Sequence, residues 1–88
     1  MPETPSARRT PPYMEAAYEL ANEIRNGDYD GDGVVFPSET MLAARFGMAR
    51  GTVRRALKAL QDAGLITTRW GKGSTVVPPE QRPGPENG

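Results

Sequence analysis

Three residues, Gly47-Met48-Ala49, separate two segments that each carry the apolar spacing of a helix, and so short a joint leaves few ways for the pair to pack. The first segment, "PSETMLAARFG" from Pro37, offers Ser38 as N-cap, Glu39 and Thr40 in the first turn and Gly47 as a stop, with Leu42, Ala43 and Phe46 facing a core. The second, "MARGTVRRALKALQDAG", stops at Gly64 and carries a stripe of Val53, Ala56, Leu57 and Leu60. Upstream, "YMEAAYELANEIRNG" is a further helix. Ala17, Leu20, Ala21 and Ile24 share its apolar face, Pro11 and Pro12 suit its first turn, and Gly27 suits its end. "VVF", Val34 to Phe36, is a candidate strand, and "LITTR" and "STVV" flanking "WGKG" read as a hairpin able to pair with it.

The order is helix, strand, helix, helix, strand, turn, strand. The expected fold is mainly α with a small β-sheet: a winged helix-turn-helix of three helices plus a β-hairpin wing. Its span is residues 12–77. Residues 1–11 and the Pro-rich residues 78–88 have the composition of a disordered N-terminal tail and a flexible C-terminal one.

Composition narrows the chemistry. With 88 residues the core is small and has little room for a large cleft. The chain has neither cysteine nor histidine, which removes thiolate metal sites, disulfides and the commonest general base. No nucleophile, base and orienting group converge, so the expectation is not an enzyme, and no cofactor or metal is called for. No stretch has the length or apolar character of a membrane span or a signal peptide, so no membrane partner and a cytoplasmic location are expected.

The formal net charge of zero conceals two opposed blocks. Residues 1–44 hold three basic against eight acidic side chains. Residues 45–72 hold Arg45, Arg50, Arg54, Arg55, Lys58, Arg69 and Lys72 against Asp62 alone. A basic block of this kind suits an anionic partner. Arg50, Arg54 and Lys58, spaced by four, share one face of the helix after the short joint, with Arg55 a little further round.

At this point the residues resemble the N-terminal DNA-binding domain of GntR-type bacterial transcription regulators. The counterparts run from Gly27 through Phe36-Pro37-Ser38-Glu39, Leu42-Ala43, Gly47-Met48-Ala49-Arg50, Thr52-Val53-Arg54, Ala56-Leu57, Leu60 and Gly64-Leu65-Ile66 to Gly71-Lys72-Gly73-Ser74-Thr75-Val76-Val77. They cover about residues 13–77. Each is common alone, and their order and spacing together are specific. The resemblance implies sequence-specific binding of double-stranded DNA by a bacterial, nucleoid-associated regulator, with recognition helix 50–63 in the major groove and wing 69–73 at the minor groove.

The resemblance also assigns base reading to Arg50 and Arg54, and a bidentate arginine–guanine pair has the right chemistry for it. Thr52 suits a phosphate or a thymine methyl, and Gly51 would let the helix backbone approach closely. Arg55 and Lys58 suit phosphate. Ser38 and Thr40 are further candidates at the start of the preceding helix. In the wing, Arg69, Gly71 and Lys72 suit the minor groove, while Trp70 could stack on a sugar or pack on the hairpin.

Three departures from the family pattern stand out. Ala49 replaces the usual Ser or Thr cap, Thr40 replaces a frequent arginine, and the larger effector-binding and dimerising domain of the family has no counterpart in this chain. The resemblance therefore leaves open a DNA-binding fragment or a small protein without a small-molecule sensor, and either a monomer on one half-site or a homodimer on DNA.

Two other functions fit parts of the sequence. "DYDGDGVVFPSE" places Asp28, Asp30, Asp32, Gly33 and Glu39 at positions 1, 3, 5, 6 and 12 of a calcium loop. Against this single EF-hand-like reading (loop 28–39), Gly27 stands where an apolar helix residue belongs, Pro37 interrupts the tenth position, and there is no second loop. A winged helix can also serve as a protein-interaction module, because fold alone does not fix function.

Overall fold

Two prolines set the first helix. Pro12 opens α1 (Pro12–Arg25), where a missing N–H costs nothing, and the Pro11 carbonyl accepts from the N–H groups of Met14 and Glu15 at 2.9 and 3.1 Å. At the far end Gly27 takes a left-handed φ of 88°. Its N–H then donates to Ile24 O at 3.1 Å and that of Asp28 to Glu23 O at 3.0 Å, the paired bonds of a Schellman stop. The computed structural model describes residues 10–69 and 73–83.

The second helix, α2 (Glu39–Phe46), begins as expected. Ser38 Oγ accepts from the Met41 N–H at 3.2 Å, and Glu39 stands at the positive end of the helix. Gly47, at φ 64°, ends it. The third, α3 (Arg50–Asp62), follows after two more residues and starts on Ala49, which has no side chain able to cap. Ala49 has extended backbone angles (φ −69°, ψ 154°) suited to a serine cap. Ala49→Ser is expected to stabilise the domain by about 1 kcal/mol, or about 4–8 °C in Tm, read by thermal denaturation.

Antiparallel strands β1 (Ile66–Arg69) and β2 (Gly73–Val76) pair Ile66 with Val76 and Arg69 with Gly73. α1 and α2 both pack on α3, which also meets β1. Leu20, Ile24, Leu42, Val53, Leu60 and Leu65 are almost completely removed from water and, with Phe36 and Ile66, belong to one hydrophobic core. Each such leucine contributes about 1.5–3 kcal/mol by burial. The architecture is the winged helix-turn-helix expected from the sequence.

Two local readings change. Val34 to Phe36 do not form the expected strand, and the sheet among the described residues has two strands. Phe36 is instead a core anchor, buried and edge-on to Tyr29 with ring centroids 5.0 Å apart, while Val35 is 80% exposed. Pro37 follows directly and has no N–H to offer a ladder. The segment runs beside β2 across an open groove of about 310 Å³ without joining the sheet.

The second change concerns the segment after the hairpin. A 3₁₀ turn covers Pro79–Gln81, and the Arg82 side chain, only 8% exposed, donates to the Ile24 carbonyl and to the Asp30 carboxylate, both at 2.8 Å. Pro83 lies against Gly64, whose left-handed φ of 79° ends α3. Arg82 thereby ties this segment to the end of α1, while Pro78 to Gln81 and Pro83 stay exposed. Residues 1–9 and 84–88 of the expected tails lie outside the described residues.

Acidic residues of the first block are also spoken for. Arg45 on α2 donates to Glu23 and, at 3.1 Å, to Glu19, and the Tyr29 hydroxyl donates to Glu23 at 2.6 Å. The bond from Arg45, more than any other influence, holds the Glu23 carboxyl below its ordinary 4.5; partial burial opposes this and Tyr29 adds to it. A carboxyl lowered in the folded state stabilises the fold above its unfolded pKa. That contribution disappears as pH falls through the lowered value. Glu23→Gln is therefore expected to flatten the loss of stability below about pH 4.5, measured as Tm against pH.

Candidate nucleic-acid interface

The start of α2, one flank of α3 and the hairpin converge on one open groove of about 450 Å³. Ser38, Glu39 and Thr40 line it from α2, Arg50, Arg54 and Leu57 from α3, and Thr68, Gly73 and Ser74 from the hairpin. The short Gly47-Met48-Ala49 joint sets this geometry, because it turns α3 against α2 while leaving the Arg50–Arg54 flank of α3 at the surface. Arg50 and Arg54 have side chains 59% and 60% exposed and lie one turn apart.

Both arginines face Glu39. Arg54 Nε lies 3.1 Å from each Glu39 oxygen, and Arg50 Nη2 lies 3.6 Å from Oε1. Sequence reasoning placed Glu39 only as a helix-start residue. Its partners are eleven and fifteen positions away on another helix, and nothing local signals the contact. The pairing holds the arginine pair together and partly offsets its charge. Because the side chains are well exposed, the pair is strongly screened and open to exchange for another anion.

The remaining sequence candidates are distributed around this groove. Gly51 is exposed, and a Cβ added there would meet nothing within 4 Å, so the domain's own packing does not require a glycine. Thr52 is half-buried. Lys58 is exposed and pairs with Asp62 one turn on, at 3.3 Å. Arg55 is on the other flank of α3, with its guanidinium carbon 4.3 Å from the centre of the Tyr13 ring on α1. Ser38 is committed to capping, and Thr40 is exposed. In the hairpin, Arg69 ends β1 opposite Gly73, and Thr68 and Ser74 link their hydroxyls at 3.2 Å. Trp70, Gly71 and Lys72 lie outside the described residues.

The calcium arrangement is not the one adopted. Glu39, its twelfth position, is turned to Arg54 and Arg50, and Asp30, its third, is bonded to Arg82. Among the described residues no group of three or more acidic side chains is placed to hold a metal ion. Nor is any helix there long and apolar enough to cross a membrane.

Residues 12–76 match the family model for bacterial regulatory proteins of the gntR family. The chain belongs to the GntR family. Among curated relatives, the uncharacterized HTH-type transcriptional regulator RB1450 of Rhizobium meliloti (strain 1021) is 48% identical over 64 residues, covering 73% of this chain and 26% of the relative. The HTH-type transcriptional repressor NagR of Bacillus subtilis (strain 168) is 37% identical over 70 residues, covering 80% and 28%. The chain thus spans about a quarter of the length of these relatives. Among solved structures, the DNA-binding domain of AraR in complex with operator ORX1 superposes with a TM-score of 0.73 at 29% identity, covering 88% of this chain and 93% of that one. BusR of S. agalactiae, in complex with its busAB-promotor DNA, gives 0.70 at 32% identity, covering 82% and 35%. The GntR fold is that of a winged-helix DNA-binding domain.

Proposed function

We propose that this GntR-family domain binds double-stranded DNA sequence-specifically, as the DNA-reading part of a cytoplasmic, nucleoid-associated bacterial transcription regulator and not as an enzyme. α3 lies in the major groove and the hairpin tip, residues 69–73, at the adjacent minor groove. The observation that carries this reading is the exposed Arg50–Arg54 pair, one helical turn apart at the start of α3 and lining one groove with the start of α2 and the hairpin. Two planar cations so placed can each make a bidentate contact with a guanine edge. That the relatives AraR and BusR are seen with operator or promoter DNA supports the same use of the fold.

The roles divide by chemistry. Arg50 and Arg54 exchange Glu39 for base edges, and Gly51 lets the helix backbone sit close to the groove floor. Lys58, Arg55 and Lys72 neutralise phosphates and position the domain without reading sequence, with Thr52, Thr40 and Ser38 at the margin. If the protein binds as a homodimer, its two half-sites lie about one helical turn apart. Selection of duplexes from a random pool tests the reading. A recovered guanine-containing motif, repeated as a palindrome for a dimer, is expected, and a pool that stays random would refute it.

A further inference from the structure

The two flanks of α3 hold their arginines in chemically opposite ways. Arg54 gives its Nε–H to a carboxylate, which neutralises charge and occupies donors. Arg55 sits over the ring of Tyr13, 4.3 Å from its centre. A ring face attracts a guanidinium through its quadrupole but carries no charge and leaves the fork of N–H donors largely available. At about 100° per residue, Arg55 projects about 140° round the helix from Arg50, on the far side of Gly51. A helix lying in the major groove with Gly51 toward the bases therefore places Arg50 and Arg55 on either side of that line, about 100° and about 40° from it.

Tyr13 is well placed to hold such a group. It is half-buried and packs on the hydrophobic core from the first turn of α1, directly after Pro11 and Pro12. α1 in turn packs along α3. The ring is thus part of the rigid body, whereas Arg55 is a long exposed side chain with rotamer entropy to lose on making a contact. We infer that Tyr13 is a positioning residue for DNA binding: its ring pre-orients Arg55 toward a backbone phosphate without consuming the charge that the phosphate needs. This rests on the proposed DNA contact of Arg55. It adds a residue of α1 that sequence reading left as an ordinary helix position, 42 residues from its partner.

A double-mutant cycle on the full 88-residue chain tests it, with a duplex recovered from the random pool as probe and fluorescence anisotropy as readout. Tyr13→Leu is expected to weaken binding about two- to fivefold with base preference unchanged, and Tyr13→Phe, which keeps the ring, to bind like the native chain. In an Arg55→Ala background, which itself lowers the salt slope by about 1, Tyr13→Leu is expected to have no further effect. A general weakening of the fold would act equally in both backgrounds and so cancels from the cycle. Equal losses from Tyr13→Leu in both backgrounds, or none in either, would overturn the positioning role while leaving Arg55 as a contact. Full affinity in Arg55→Ala alone would overturn the phosphate contact and the inference with it.

Discussion

Arg54→Ala is expected to weaken binding to the preferred duplex by about 1–3 kcal/mol, about 5- to 150-fold, and to relax base preference at one position of the site. Arg54 reaches the groove lined by α2, α3 and the hairpin, and no other side chain on that flank except Arg50 has the same planar fork. Its loss also alters the neighbourhood. Arg54 is the closer partner of Glu39, at 3.1 Å to both oxygens, whereas Arg50 stands at 3.6 Å. Removing Arg54 therefore leaves a less compensated carboxylate facing the DNA, so Arg54→Ala is expected to cost more than Arg50→Ala. Adding Glu39→Gln to Arg54→Ala should restore part of the affinity without restoring base preference. Titration of the preferred duplex and of one carrying a changed guanine distinguishes the two effects. Unchanged affinity and selectivity in Arg54→Ala would remove this residue from the reading surface.

Leu60→Ala is expected to produce the largest loss of stability, about 2–5 kcal/mol. Leu60 is 2% exposed, on the face of α3 opposite the basic one, in the same core as Leu20, Ile24 and Leu42. A domain of this size has only about 4–11 kcal/mol in all, at about 0.05–0.15 kcal/mol per residue. One truncation therefore removes a large share and leaves a cavity that a core of small α1 residues, Ala16, Ala17 and Ala21, has little means to refill. Urea denaturation followed by circular dichroism measures this directly, and DNA affinity should fall as the unfolded fraction rises. A midpoint within error of the native chain would mean that α3 is not held by this core.

What the sequence disclosed and what it hid follow a physical division. Local rules located the three helices because their signals sit within a few residues: Ser38 before its helix, Gly27 and Gly64 after theirs, and apolar positions at helical spacing between. Ala49 showed the missing cap of α3 for the same reason. Val34 to Phe36 misled because β-branched residues express a preference, whereas a strand also needs a partner in register, and Phe36 is claimed by the core instead. The residues after Val77 misled through composition. Prolines read as a linker, yet Arg82 reaches the Ile24 carbonyl and the Asp30 carboxylate and ties the segment to the end of α1.

At the candidate interface, the cations were legible and their counterparts were not. Arg50, Arg54 and Arg55 are visible as a basic face, but Glu39 and Tyr13 become their partners only when three helices meet. The acidic turn that mimics a calcium loop is a further case. Asp30 has a structural reason to be acidic in Arg82, which lies 52 residues away.

The central claim is that α3 and the hairpin form a phosphate-anchored, base-reading surface. The salt dependence of binding to the selected duplex tests it most directly. The expected result is a linear fall of log K with log salt concentration, with a slope of about −0.9 for each phosphate neutralised, and a steeper fall for the native chain than for Arg55→Ala or Lys58→Ala. Binding that is absent at low salt, or that does not weaken as salt rises, would contradict it.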